Sequence, residues 1–472
     1  MGFTGVTTTG IYCRPGCSAR PKPDNCVQLP STVAAEAAGF RACRRCRPEL
    51  EPGVLGALNL PETVSWALDL LEDGHQQSDE LLAARVGLSV RHLRRLFLHH
   101  LGATPAEIAR SRRAHLARRL LDAPDLDLTA VATATGLNGP RQLHRLTTSV
   151  FKAAPDELRG RSRAGRCASE GITVRLAARG GLDPSEVLGH LGPRCIPGIE
   201  TVVDGAYQRT YRTASRSGTV SVRPDPSGIT VHLPGPLDGD IGPIIHRCRR
   251  LFGIDELPLG ERSRITGDRV LGPLAGRHPF LRVPRSFDRF ETVVRIILGQ
   301  QVSVKGASTL AGRVARRAGQ RLVGATSDLD TLFPTPDELA DVDLAGLGLT
   351  DRRSRTITTF ARAVTEGHID LYQPGTTDDI VARWTALDGI GPWTAHLIAI
   401  RVLAHDDVMP AGDLGIRRAV AALRSTTVDA VTQHDVAAAA QHWAPHRTWA
   451  AQLLWTAADP TTTQSRPEDN DG

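Results

Sequence analysis

Lysine is nearly missing from this chain: of 57 basic residues in 472, only Lys22, Lys152 and Lys305 are lysines. Chemistry that runs through a lysine amine therefore has three positions open to it. Long apolar runs are missing too. No stretch approaches the about 18 residues of a membrane span, and no secretion signal opens the chain, so no membrane partner is expected. Aromatic residues make up only 4% of the sequence, and no cysteine follows Cys248. What is abundant is arginine, with a formal charge of +6 and a pI near 9.1. That balance favours a polyanionic partner. With so much alanine and glycine, however, the arginine count also reads as the codon bias of a GC-rich genome. Position, not number, must carry any argument about nucleic acid.

At 472 residues the chain exceeds one core, and three or four domains are expected. Residues 1–50 are cysteine-rich and otherwise turn-like, and 60–158 carry helical periodicity. Residues 172–280 alternate as short strands, and helical patterning returns from 286 to about 458. The polar tail 459–472 has little to bury and reads as disordered.

Five of the eight cysteines fall in the first 46 residues, which points to metal or thiol chemistry rather than disulfides. Cys13 and Cys17 form one close pair and Cys43 and Cys46 another, with 25 residues between the pairs. Two such pairs supply four thiolates for one tetrahedral Zn²⁺. Cys26 breaks the pattern and reads as a spectator.

Between 60 and 160 a pattern repeats. "SDELLAARVGLSVRHLRRLF" and "DLTAVATATGLNGPRQLHRLTTSVF" each give a short helix, a glycine turn (Gly87, Gly136) and a second helix, 49 residues apart. That is helix-turn-helix geometry, whose second helix enters the major groove. Ser89 is placed to cap the second helix of the first copy. Leu93, Leu96 and Phe97 form its buried stripe. Arg91, His92, Arg94 and Arg95 then face outward, as do Arg141, Gln142, His144 and Arg145 in the second copy. A solvated basic face on an ordinary bundle explains one copy equally well; two copies favour DNA.

Further on, "VARWTALDGIGPWTAHLIAIRVLA" reads as helix, Gly-Ile-Gly turn, helix. Gly389 and Gly391 let backbone N–H groups meet a DNA phosphate, with a monovalent cation between them, and Thr394, in the first turn of the second helix, is expected at the same DNA contact. Asp413 follows Gly391 by 22 residues and precedes a new helix. Asp is a favoured N-cap. A hairpin, Gly-x-Gly and an Asp about 20 residues later resemble the helix-hairpin-helix base-excision glycosylases, and that resemblance implies that a carboxylate fixed there stabilises oxocarbenium character during cleavage of an N-glycosidic bond and orients a water. Trp393, Trp443, Trp449 and Trp455 are candidate aromatic walls for a cationic base; as tryptophans, at least one of the last three is expected in the core.

These stretches resemble known families. Thr8–Cys17 and Gly39–Cys46 resemble the zinc domain of the adaptive-response regulators (Ada). That resemblance implies that Cys13 accepts a methyl group from a DNA phosphotriester. Zinc keeps the sulfur as thiolate. Methylation then changes the four-thiolate site from −2 to −1, easing repulsion from phosphates. The family carries further residues before this motif, including a strand, so the domain is expected to be amino-terminally incomplete. The basic segment is similar to the AraC-type double helix-turn-helix.

Residues 172–458 resemble the DNA-3-methyladenine glycosylase II family (AlkA), within the helix-hairpin-helix glycosylases. This resemblance implies base flipping, with Asp413 as the catalytic carboxylate and Trp393 and Trp455 lining the base pocket. It makes the turn "LGQQVS", with Gln300 and Gln301, the element pushed into the duplex. Relatives that also cut the strand carry a lysine where Trp393 stands, so simple hydrolysis is expected. Iron–sulfur relatives need four late cysteines, so no such cluster is expected. Gln301 replaces a leucine wedge, and Leu397 and Leu414 replace pocket tyrosines. There is no Pro-Cys-His-Arg motif and hence no expectation of an O6-methylguanine transferase domain.

The fold expected is multidomain and mainly α. It comprises a zinc-bound domain (1–54), an all-α double helix-turn-helix (60–160), an α+β subdomain (171–284) and an all-α helix-hairpin-helix glycosylase domain (285–458). The function expected is an alkylpurine glycosylase fused to an alkylation-responsive regulator, in a bacterial cytoplasm at the nucleoid. Alkylated and promoter double-stranded DNA and RNA polymerase are the expected partners. Two alternatives stand beside it: a transcription regulator with an inactive DNA-holding glycosylase half, and a glycosylase whose other parts only add DNA affinity.

Overall fold

The computed structural model describes residues 2–48, 60–74, 78–122, 126–159, 171–213, 216–235, 239, 241–325 and 328–458. The tail read as disordered lies outside them, as does Cys167. Among the described residues no helix is long and apolar enough to cross a membrane.

The first 48 residues are not the turn-like segment their composition indicates. They hold a small sheet of β1 (Phe3–Val6), β2 (Ile11–Cys13), β3 (Cys26–Leu29) and β4 (Arg41–Ala42), in the order β3-β1-β2-β4. Strands of two to four residues are too short for alternation to register in sequence. β1 stands before the cysteine motif and pairs with both β2 and β3, so a strand does precede that motif. Gly5 is required in β1, because a Cβ there would meet Leu29 Cδ1 at 2.8 Å and the Phe40 ring at 3.0 Å. The helix Thr32–Ala37 packs on the sheet, its first turn capped by Ser31.

The helix Glu62–Glu72 then leads into two helix pairs, Asp79–Arg85 with Val90–Leu101 and Leu128–Ala134 with Pro140–Phe151. The helix Pro105–Leu120 links them, and its start is fixed by a capping box between Thr104 and Glu107. Both predicted turns form on glycines in the left-handed region, Gly87 at φ 71° and Gly136 at φ 68°. Ser89 caps Val90–Leu101 by accepting from His92 N–H. Leu93 and Phe97 are fully buried while Leu96 is half-buried.

An antiparallel sheet follows, with β5 (Ile172–Ala177), β6 (Glu200–Val203), β7 (Ala206–Arg212), β8 (Ser217–Asp225) and β9 (Gly228–Leu233) in the order β5-β9-β8-β7-β6. Strict alternation in β5 puts Ile172, Val174 and Leu176 inward. This sheet does not own its core. Val174, Tyr207, Val222 and Val231 share one apolar cluster with Leu120, Val131, Ala134 and Leu143 of the helix-turn-helix region. The Ile241 N–H also donates to the Ala134 carbonyl at 3.0 Å.

The remaining helices enclose the largest core, with Trp384 and Trp449 fully buried in it. Two buried ionic groups join this body to its neighbours. Arg209 on β7 lies between Glu200 at 3.3 Å and Glu291 at 2.5 Å. Asp73, just after Glu62–Glu72, meets Arg250 at 3.0 Å and accepts from the Tyr372 hydroxyl at 2.9 Å. Arg289, His246 and Arg247 surround the same carboxylate at 3.7 to 3.9 Å. Against the burial that would raise it, Arg250 first, then His246 and Arg289, hold the Asp73 carboxyl well below the usual range.

Candidate active site and zinc centre

The small sheet explains how two distant cysteine pairs meet. Cys13 ends β2, Cys43 follows β4, and β2 and β4 run parallel side by side, with the Cys43 N–H donating to the Tyr12 carbonyl at 3.0 Å. The Sγ atoms of Cys13, Cys17, Cys43 and Cys46 consequently lie within 4.8 Å of one another. A tetrahedral Zn²⁺ with bonds of about 2.3 Å needs sulfurs about 3.8 Å apart, so this soft, all-sulfur set fits one zinc ion. Burial, then hydrogen bonds with Cys43 and Cys17, push the Cys13 thiol up. Cys13 and Cys43 are buried at 7% and 8% exposure, whereas Cys17 and Cys46 are half-buried. Cys26 stays outside the cluster, its thiol donating to the Lys22 carbonyl.

At the other end of the chain, the helices Thr377–Thr385 and Pro392–Arg401 are joined by the Gly-Ile-Gly turn. Gly389 has φ 84°, and a Cβ on it would fall 1.9 Å from Thr356 Oγ1, so no other residue fits. Nothing lies within 4 Å of a Cβ on Gly391, which leaves the turn open on that side. Pro392 at the first helical position has no N–H, so the free donors of this helix start at Trp393.

Gln300 and Thr394, both expected at the DNA-binding face, are joined to each other. Gln300 Nε2 donates to the Gly389 carbonyl and to Thr394 Oγ1, both at 3.0 Å, and Thr394 is only 2% exposed. They bolt the turn after Arg289–Leu298 onto the hairpin. Gln301 is exposed at the tip with φ 56°, followed by Val302 and Val304, which are exposed as well.

Asp413 caps the helix Leu414–Leu423, its Oδ1 accepting from Ile416 N–H at 3.0 Å. The same oxygen accepts from Trp455 Nε1 at 2.9 Å, and Oδ2 accepts from Trp393 Nε1 at 2.7 Å. Both tryptophans named as pocket walls thus grip the carboxylate by their indole edges. Sequence reasoning missed this, since residues 393, 413 and 455 come from three separate elements with no spacing to relate them. Gly415 permits the approach, because a Cβ on it would lie 3.1 Å from Asp413 Oδ1 and 3.3 Å from the Trp455 ring. Leu414 is 49% exposed beside the carboxylate. Among the described residues, no arginine, lysine or histidine pairs with Asp413. The other tryptophans are core residues: Trp449 is fully buried, and Trp443, 4% exposed, donates to Asp268.

In the helix-turn-helix region Arg91 and Arg95 are exposed on Val90–Leu101, and Arg141 and Arg145 on Pro140–Phe151. Arg94 is exposed as well, but its Nε donates to Asp79 at 2.7 Å, so it is not a free cation. A cavity of about 650 Å³ between the two helix pairs is lined by Asp79, Arg110, Arg113 and Arg145; the two arginines from Pro105–Leu120 carried no sequence signal.

Four family models match the chain in succession. They are the metal binding domain of Ada (2–49), a helix-turn-helix domain (82–161), the AlkA N-terminal domain (173–288) and the HhH-GPD superfamily base excision DNA repair protein (294–446). The chain is 35% identical to a Mycobacterium tuberculosis protein named probable bifunctional transcriptional activator/DNA repair enzyme AlkA, across 98% of this chain and 94% of that one. It is 32% identical to the Escherichia coli DNA-3-methyladenine glycosylase 2, over 58% of this chain and 93% of the relative. Among solved structures, a 3-methyladenine DNA-glycosylase from Archaeoglobus fulgidus superposes with a TM-score of 0.52 at 24% identity, covering 60% of this chain and 96% of that one; this shows the shared fold. A four-cysteine domain, a helix-turn-helix domain and a glycosylase fold in one chain, matched end to end by one relative, place this protein in the family of bifunctional transcriptional activator/DNA repair enzymes of the AlkA type.

Proposed function

We propose that this chain is a monofunctional glycosylase that hydrolyses the N-glycosidic bond of alkylated purines such as 3-methyladenine in double-stranded DNA, fused to an alkylation-responsive regulator. The observation that carries this reading is the Asp413 carboxylate, gripped by two indole N–H groups and one backbone N–H at the foot of the hairpin.

The hairpin turn at Gly389 and Gly391 offers N–H groups to a DNA phosphate, with room for a monovalent cation. Gln301, at the strained tip of its turn, enters the stack as the damaged nucleotide swings out. The C1′–N bond breaks and its electron pair leaves with the base. Positive charge then builds on the sugar beside Asp413. Donors that are neutral hold the carboxylate in place without cancelling its charge, so its full attraction for the developing cation remains. Water adds at C1′ from the carboxylate side and gives up its proton to Asp413, leaving an abasic site. Trp393 stands where strand-cutting relatives carry lysine, which supports hydrolysis without strand cleavage.

In the amino-terminal domain Cys13, Cys17, Cys43 and Cys46 would hold one zinc ion, which keeps their sulfurs as thiolates. Cys13 is the proposed acceptor: its sulfur bonds the methyl carbon of a phosphotriester, the carbon–oxygen bond breaks, and the phosphodiester leaves with the electron pair. Arg91, Arg95, Arg141 and Arg145 would meet promoter DNA, Arg94 only after parting from Asp79. RNA polymerase is the partner a promoter-bound activator addresses, and the nucleoid is the place where both halves meet their substrate. The domain limits 1–54, 60–160, 171–284 and 285–458 are proposed as the functional divisions.

The test is incubation of the full chain with methylated duplex DNA. Free 3-methyladenine should appear, with strands that break only after alkali. Breaks without alkali would remove the monofunctional assignment. No base release by the folded chain would overturn the glycosylase reading.

A further inference from the structure

Arg401, the last residue of Pro392–Arg401, is a desolvated arginine with no carboxylate partner among the described residues. One terminal nitrogen donates to the Pro284 carbonyl and the other to Gln452 Oε1, both at 2.9 Å, which fixes the guanidinium. Its carbon centre sits 5.2 Å from the ring centroid of Trp455. Desolvation, and then the nearby Arg194 and Arg285, push its pKa down to about 9, so it remains cationic at neutral pH. A half-buried, desolvated cation without an ionic partner is costly. Here it is spent on one face of the indole whose edge holds Asp413.

We propose that Arg401 is a specificity-determining positioning residue that offsets the preference of the aromatic pocket for cationic bases and opens it to neutral damaged purines. The inference rests on the glycosylase reading above. A base that stacks on Trp455 must take the face away from Arg401. Indole attracts cations through its π-face, but a guanidinium already behind it draws on the same electron density. With a stacking distance of about 3.5 Å added, a cationic base lies about 9 Å from the guanidinium. At an effective dielectric near 20 that repulsion is worth roughly tenfold to thirtyfold in binding. A neutral base does not feel it. Asp413 attracts a cation equally in the presence or absence of Arg401, so the two effects separate in a ratio.

The experiment compares single-turnover release of 7-methylguanine, a cation, and hypoxanthine, which is neutral, from otherwise identical duplexes. The proteins are the full-length wild type, Arg401→Met and Arg401→Lys, each checked for folding by thermal melting. The wild type should release both bases. Arg401→Met should raise the ratio of 7-methylguanine to hypoxanthine release by about tenfold, while Arg401→Lys, which keeps the charge, should stay near the wild-type ratio. Should the methionine variant not fold, Arg401→Gln, which retains a donor for the Pro284 carbonyl, carries the same expectation. Equal losses for both bases would reduce Arg401 to a packing role and overturn the proposal. So would a lysine variant that follows the methionine one, or a wild type that releases 7-methylguanine alone. A wild type that releases neither base overturns the glycosylase reading itself, and this inference with it.

Discussion

Two carboxylates in this molecule sit in opposite surroundings. Asp73 is buried where the helix-turn-helix region meets the glycosylase helices, beside Arg250, Arg289, Arg247 and His246. Asp413 is half-buried and meets two indoles and one amide. The first is a charge neutralised by charges, which fixes one domain against another and has nothing left to offer a substrate. The second is oriented as firmly by groups without charge, so its field remains available to a cation formed beside it. The nature of the donors, rather than the count of hydrogen bonds, separates the structural carboxylate from the one proposed to act in catalysis.

The largest expected effect breaks the first member of this pair. Asp73→Ala leaves Arg250 buried without its carboxylate partner and should cost about 3–5 kcal/mol of stability, read as a lower denaturant midpoint. The same group predicts a pH dependence. Its folded-state pKa is depressed by Arg250, His246 and Arg289, although burial opposes them. Its stabilisation is therefore fully present above the unfolded value of about 3.9 and is lost as pH falls below that toward the folded value. Acid titration of the wild type should show a loss of stability below about pH 4 that is smaller in the alanine variant. A variant with the same acid profile as wild type would assign that loss elsewhere.

Smaller effects sharpen the second member. Trp393→Phe and Trp455→Phe each remove one N–H donor to the carboxylate while keeping an aromatic face. A hydrogen bond to a charged group is worth about 1.5–3 kcal/mol, so each variant should slow base release by tenfold or more. Unchanged rates would make the indole edges incidental. Smallest of all, stripping zinc with a chelator should lower the melting temperature of the amino-terminal domain and leave base release within about twofold, because the four-cysteine site contributes no group to the Asp413 site. Binding to chains already bearing zinc can be checked by released metal per chain.

The legible parts of this molecule were those written in local spacing. The cysteine pairs do converge, since pairs at short spacing need only two parallel strands to meet. Gly87 and Gly136 turn as the two copies of the pattern require, and Ser89 and Asp413 cap the helices they precede. What stayed hidden depends on contacts between elements far apart in sequence. Asp69 and Asp73 look like ordinary polar positions at the end of a helix, yet they meet Arg289 and Arg250, about two hundred residues away. The indole edges on Asp413 and the cation behind Trp455 arise in the same way. The brace between Gln300 and Thr394 was hidden too, because a polar residue at a DNA-facing turn and one that braces that turn have the same sequence signature.

The most direct measurement is the single-turnover rate of 3-methyladenine release by Asp413→Asn, taken together with its affinity for the same methylated duplex. Asparagine keeps the shape of the site and an acceptor for the donors while removing the charge. The account predicts a rate at least about a hundredfold below wild type with duplex affinity within a few-fold, because it assigns DNA holding to the hairpin and the chemistry to Asp413. A rate that survives the substitution, or an affinity that collapses in step with the rate, would contradict it.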